Sequence, residues 1–271
     1  MLEQAPAAPC PTPEQRLIAR AFRQGTFVTT PAPQPADYSG QYALSGPAKV
    51  RDARITPIRG DLADIALAGK LFAPHYVVPM ERIVIAPFTP LRKTPHDDAE
   101  QTSELLAGER FMVLDMAGAW AWGYCKHDCY NGYLALDALG EPNLAASVAS
   151  PGSAVEAALA RVGTPYVWGA RGGAGIDCSG LVQTAFAHAG LAMPRDSDQQ
   201  EACGAEVESC QRGDLVFFPG HVGIALGDGH YIHASAKAAC VTINSFEPSH
   251  DLFDAELLAI FSGGGRSPLR S

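Results

Sequence analysis

One cysteine in this chain stands where a nucleophile could work. The run Gly175-Ile176-Asp177-Cys178-Ser179-Gly180-Leu181-Val182 places Cys178 at the start of an apolar helix. A thiol there faces backbone N–H groups and the positive end of the helix dipole. Both favour the thiolate, the form that attacks carbonyl carbons. Two histidines, His221 and His233, follow downstream, each inside a strand-like run. A single cysteine with distant histidines fits a nucleophile whose partners meet only in the fold. Taken alone, a cysteine at a helix start is more often core, and a strand histidine is more often a satisfied structural group.

The elements around these residues decide whether they can meet. Asp177 can cap the Cys178 helix by accepting N–H bonds. Leu181, Val182, Ala185, Phe186 and Ala189 fall on one face, and Gly190 lies past the end as a C′ residue. A helix over Ala154–Val162 precedes it, with Ser153 and Glu156 as a capping box and Gly163 as its stop. After Pro194 come β-runs at 214–218, 221–226, 230–235, 241–246 and 256–261. Helices followed by antiparallel strands describe an α+β domain.

Register then decides the chemistry. With Gly227-Asp228-Gly229 as a three-residue loop, Leu226 opposes His230, Gly223 opposes His233 and His221 opposes Ser235. The two histidines then share a face as diagonal neighbours, roughly 7–8 Å apart at the backbone. A two-residue loop would pair His233 with Ile224 and turn it to the other face. On the first register, Cys178 attacks a carbonyl carbon, His221 serves as base and then acid, and His233 fixes the His221 tautomer. The Cys178 N–H and Tyr166 are candidate oxyanion donors.

The runs Thr164-Pro165-Tyr166-Val167-Trp168-Gly169, Asp177-Cys178-Ser179-Gly180-Leu181-Val182, Pro194-Arg195-Asp196-Ser197, Arg212-Gly213-Asp214-Leu215-Val216-Phe217, His221-Val222-Gly223-Ile224 and Tyr231-Ile232-His233-Ala234 carry a resemblance. In this order and spacing they resemble the NlpC-type cell-wall peptidases, papain-like cysteine peptidases that cut murein peptides. The resemblance covers about residues 150–262. It implies Cys178 as nucleophile, His221 as base and His233 as the third polar residue.

Upstream, residues 76–139 hold short β-runs, 82–86, 110–114, 119–124 and 133–136, with a proline-punctuated turn region at 87–95 and a turn at Asn131-Gly132. This stretch resembles the bacterial SH3-like barrels that precede such peptidases. That architecture implies a γ-D-glutamyl-L-diamino-acid peptidase selecting murein peptides with a free N-terminal L-alanine. Its amine readers map onto Glu100, Tyr130 and Asp196. Asp177, Ser179 and Ser197 join them as candidate substrate contacts. The bland alternatives are solvated carboxylates at Glu100 and Asp196 and a place in the helix start for Ser179. Trp168 reads as a core aromatic and Trp120 and Trp122 as barrel structure.

The fold class expected is therefore an α+β papain-like catalytic domain behind an all-β SH3-like barrel. The divisions are an arm over 1–45 with a short helix at Pro13–Gln24, a barrel region over 46–140 with a short helix near Ala63–Leu71, a linker over 141–152, and the peptidase over 153–271. Apolar content of 47% and charged content of 18% fit a globular chain. A net charge of −9 argues against a nucleic-acid surface. No apolar run approaches the roughly 20 residues that span a bilayer. The first residues carry no secretory leader pattern, so a cytosolic protein is expected. Seven cysteines are then expected as thiols, Cys203 and Cys210 included. Cys125, His127 and Cys129 do not complete a zinc set. No metal and no cofactor are expected. The substrate implied is a murein tripeptide or tetrapeptide; the choice of diamino acid and the oligomeric state are not legible.

Overall fold

A computed structural model describes residues 51–142 and 152–266, and these fall into two compact units. The helix expected at Pro13–Gln24 lies outside the described residues.

The first unit begins with two short parallel strands, β1 (Leu62–Asp64) and β2 (His75–Val77). The expected helix over 63–71 is only a 3-10 turn at Ile65–Leu67, nucleated by Asp64 Oδ1 accepting from Ala66 N–H at 2.8 Å. Then come β3 (Met80–Val84), β4 (Phe88–Arg92), β5 (Gln101–Leu106), β6 (Arg110–Ala117), β7 (Trp120–Cys125), β8 (Asn131–Ala135) and β9 (Leu139–Gly140). They form one antiparallel sheet in the order β5-β4-β8-β7-β6-β3-β9. Val84, Leu91, Leu105, Phe111, Ala121 and Leu134, from six different strands, all enter one buried cluster. A sheet whose strands all feed one cluster is curled around it, as small barrels are.

Two turn readings differ from what forms. The proline region contains strand β4. Pro90 pairs with Glu104 on β5, while β8 meets β4 only at Arg92, so the missing N–H costs no ladder bond. Asn131-Gly132 begins β8 instead of turning. The reversal is made by 126–129, where Cys129 takes φ 62° and donates its N–H to Cys125 O at 2.8 Å.

The second unit is α+β. It holds α1 (Ala154–Leu159), α2 (Cys178–His188), α3 (Ser197–Cys203), β10 (Ala205–Val207), β11 (Leu215–Phe218), β12 (His221–Gly227), β13 (His230–Ser235), β14 (Cys240–Ser245), α4 (Ala255–Ala259) and β15 (Gly263–Arg266). The six strands order β10-β15-β11-β12-β13-β14, antiparallel throughout. Leu181, Val182 and Ala185 of α2 pack with Val222, Ile224, Ile232, Val241 and Ile243 on one sheet face. Alternation sends the histidines' positions to the opposite face.

Helix ends follow their residues. Ser153 Oγ accepts from Glu156 N–H at 3.2 Å, but the Glu156 carboxylate turns to Arg212 at 2.9 Å, so no reciprocal box closes. Past α2, Gly190 takes φ 79°, and Gly190 and Leu191 return N–H bonds to Ala187 O and Phe186 O, each 2.9 Å, a Schellman ending. The β-run expected over 256–261 is instead α4, because Asp254 caps it through Glu256 N and Leu257 N. Its place in the sheet goes to the glycines of β15. A Cβ at Gly265 would stand 2.7 Å from the Phe217 ring, so only glycine lets that ring lie across the strand.

Candidate active site

The first turn of α2 is held by one buried carboxylate. Asp177 Oδ1 accepts from Gly180 N at 2.7 Å, and Oδ2 from Gly169 N at 2.8 Å. Arg195, 1% exposed, reaches the same group with Nη1 at 3.1 Å and Nη2 at 2.6 Å, and donates to Ser179 Oγ at 2.8 Å. The Ser179 hydroxyl returns to Asp177 Oδ1 at 3.3 Å. Asp177 and Ser179 were candidate substrate contacts; both side chains are committed inward to this network instead. Glycine at 180 is required, since a Cβ would collide with the Ala170 carbonyl and lie 2.9 Å from Asp177 Oδ1.

Cys178 is the first residue of α2 and is 6% exposed. The backbone N–H groups of Val222 and Ser179 favour the thiolate there. Val222 is the second residue of β12 and follows His221. The expectation of a resting thiolate at the helix end does not hold. Burial, then the Asp177 carboxylate, pushes the thiol up to about 11. The same carboxylate that caps the helix opposes its positive end.

The histidines share a face, by a route different from the expected loop. Asp228 and Gly229 form a two-residue turn with φ 50° and 70°, and Gly227 opposes His230. A bulge between Ala225 and Gly227 then adds one residue, Leu226, so Ala225 opposes Tyr231 and Ile224 opposes Ile232. The extra residue cancels the slip. His221 Nε2 stands 2.6 Å from His233 Nδ1, with the rings at 76°. His233 Nε2 lies 2.9 Å from Asn244 Oδ1, and Asn244 Nδ2 donates to Leu252 O at 3.1 Å. Burial, then the neighbouring His233, lowers His221 to about 3. Burial also lowers His233 to about 4, opposed by its Asn244 bond and by Asp254. Both imidazoles are neutral at neutral pH, so His221 can take a proton.

Asn244 was not singled out in the sequence. Its signal is the alternation Thr242/Asn244 on β14, which counts only once Tyr231 is known to oppose Asn244 and His233 to oppose Thr242. Tyr166 is raised to about 12 by burial, then by Cys178 and Asp177, so it keeps its proton as a donor. Asp196 and Ser197 begin α3, where Asp196 is the N-cap and its N–H donates to Gln199 Oε1 at 3.3 Å. Trp168 is 62% exposed and not core. In the other unit, Glu100 and Tyr130 line one open cleft of about 590 Å³ with Arg59, Lys93, Thr102 and Trp122. Glu100 there holds an exposed ion pair with Lys93 at 3.2 Å.

This arrangement of thiol, paired imidazoles and amide coincides with a family match. Residues 163–256 match the NlpC/P60 family, and residues 91–139 match the bacterial dipeptidyl-peptidase SH3 domain. The second unit thus holds a domain that matches the NlpC/P60 family. Among curated relatives, dipeptidyl-peptidase 6 of Lysinibacillus sphaericus is 38% identical over 114 residues, which is 41% of this chain and 42% of the relative. The gamma-D-glutamyl-L-lysine dipeptidyl-peptidase of Bacillus cereus is 38% identical over 92 residues, 30% of this chain and 28% of the relative. The match thus spans under half the length of each. A crystal structure of an NlpC/P60 family protein from Bacillus cereus superposes at TM-score 0.40 and 24% identity, covering 69% of this chain and 63% of that one. In the NlpC/P60 domain here, α2 supplies the thiol and the β12–β13–β14 face supplies the imidazoles and the amide.

Proposed function

We propose that the protein is a cysteine peptidase that hydrolyses murein peptides at the γ-D-glutamyl–L-diamino-acid bond, working on peptides with a free N-terminal L-alanine. The observation that carries the enzymatic reading is Cys178 at the first turn of α2, influenced by the N–H of Val222, the residue after a neutral His221 that is backed by His233. The Cys178 proton passes to His221 as the sulfur attacks the glutamyl carbonyl carbon. The Cys178 N–H and the Tyr166 hydroxyl receive the oxyanion. His221 protonates the departing amine, leaving a thioester. Water, deprotonated by His221, attacks that thioester, releases L-Ala-γ-D-Glu and restores the thiol.

The substrate choice is supported by the SH3 match at 91–139 and by the names of the two relatives. Glu100 and Tyr130 sharing one cleft adds a carboxylate and a phenol suited to an ammonium group. Asp196 and Ser197 are proposed as substrate contacts of the NlpC/P60 domain. An amine requirement fits peptides already released from the glycan, because intact murein acylates that alanine. We therefore place the activity in cell-wall peptide recycling, in the cytoplasm.

The test compares L-Ala-γ-D-Glu-diaminopimelate with its N-acetylated form. Cleavage of the free-amine peptide at least tenfold faster, abolished by Cys178→Ala, is expected. Equal cleavage of both would discard amine selection, and digestion of whole sacculi would make the protein an endopeptidase on intact wall.

A further inference from the structure

A pair of neutral histidines has no polarity of its own. In His221 Nε2···His233 Nδ1 either ring could donate, and only one choice leaves a lone pair on His221 Nδ1 for the thiol proton. The direction must come from a group whose donor and acceptor are not interchangeable.

That group lies two strands away from His221. Leu252 O is a backbone carbonyl and can only accept. It therefore takes the amine end of Asn244, at 3.1 Å from Nδ2. The amide oxygen is then left facing His233 Nε2 at 2.9 Å, so that nitrogen must carry the proton. A neutral His233 with Nε2–H has its lone pair on Nδ1. It can only accept from His221 Nε2–H. The remaining nitrogen of His221, Nδ1, is the base.

We propose that Asn244 is a positioning residue, anchored by Leu252 O, that sets the proton direction of the His221–His233 pair and so makes His221 a base toward Cys178. This rests on reading Cys178 and His221 as the peptidase pair. The register supports it. His221, His233 and Asn244 take diagonal positions on one face of three successive strands, β12, β13 and β14. Tyr231 lies ring to ring with His233 at 5.3 Å, and Asp254 acts only through its charge. Phe218 packs against His221 at 5.6 Å and holds that ring's plane.

The proposal is tested first without substrate. Nitrogen-15 spectra of histidine-labelled wild-type protein should show both His221 and His233 as Nε2–H tautomers at pH 7. An Nδ1–H form at either ring would overturn the proposal, whether or not the protein cleaves murein peptides. Asn244→Ala should lower kcat about 10- to 100-fold with little change in KM, in the range of acid–base effects, and should mix the tautomers. Asn244→Asp should keep the acceptor but hold the proton on His233. The acid limb of the pH–rate profile should then move up by about one unit or more, as a buried neighbouring carboxylate does. Unchanged tautomers and kcat within about twofold in Asn244→Ala would also overturn the proposal.

Discussion

Removing Asp177 should cost far more than removing a helix cap. Its carboxylate accepts from Gly180, Gly169 and Ser179 and from two nitrogens of Arg195, all buried. In Asp177→Ala the lost cap contributes about 1 kcal/mol. The Gly169 N–H, deprived of this acceptor, adds roughly 1–3 kcal/mol. Stripping a buried guanidinium of its carboxylate partner adds about 3–5 kcal/mol. One carboxylate serves all three roles, so the sum overcounts, and about 4–6 kcal/mol is expected. Arg195→Met should cost less, about 2–4 kcal/mol, because the remaining carboxylate keeps three other donors. The double variant Asp177→Ala/Arg195→Met removes both charges and should recover about 2 kcal/mol or more relative to additivity. Urea unfolding reads this directly. At about 1–3 kcal/mol per molar, Asp177→Ala should lower the midpoint by about 2 M. An Asp177→Ala cost below about 1.5 kcal/mol, or strictly additive singles, would refute the view that Arg195 and Asp177 form one energetic unit beneath Cys178.

Other expectations follow from the same site. Tyr166→Phe deletes an oxyanion donor and should lower kcat about 100- to 1,000-fold while leaving KM within a few-fold; steady-state kinetics on L-Ala-γ-D-Glu-diaminopimelate would show it. Gly223→Ala places a methyl 3.0 Å from Ile232 O and 3.3 Å from His233 Cβ. It should cost about 1–3 kcal/mol in urea unfolding and reduce the rate of Cys178 alkylation by displacing His233. Acid should destabilise the NlpC/P60 domain early. His221 and His233 titrate near 3 and 4 when folded against 6.5 ordinarily, so below pH 6.5 the unfolded chain binds protons that the folded chain refuses. Stability is intact above pH 6.5 and falls toward pH 4 by up to about 1.4 kcal/mol per pH unit for each ring. Urea midpoints for His233→Gln should show a shallower slope between pH 6.5 and 4.5 than those for the unmodified protein.

The helix bearing Cys178 was legible because its signals are local. Asp177 before it, the apolar stripe within it and Gly190 after it each act within one turn. The sheet was harder to read. The histidines' common face depends on a two-residue turn and a bulge at Leu226 that cancel each other, and periodicity cannot reveal two compensating irregularities. Strand β15 was invisible because glycines carry no propensity for strand, and its reason is the Phe217 ring on its neighbour. The run 256–261 looked like a strand because its apolar residues cluster; Asp254 as a cap was the overlooked local signal. Asn244 was missed for a different reason. An asparagine on a strand means nothing until one knows that a carbonyl lies at one end of its amide and an imidazole at the other.

The electrostatics of the two sides of the site explain why that amide matters. A helix N-terminus would ordinarily lower the pKa of the thiol that sits on it. Here Asp177 opposes that field, and burial raises the thiol further. Arg195 pairs with Asp177, so the charge beneath the helix is balanced rather than directed at the sulfur. The helix therefore positions Cys178, through the Asp177–Arg195 network, without ionising it. Activation falls to proton transfer across to His221, which must present a lone pair and not an N–H. A thiol and an imidazole that are each kept neutral by burial can become a thiolate–imidazolium pair together, without changing net charge. That exchange runs against both shifts and is offset by the attraction between the two charges it creates, and the chain Leu252–Asn244–His233–His221 makes His221 Nδ1 the acceptor.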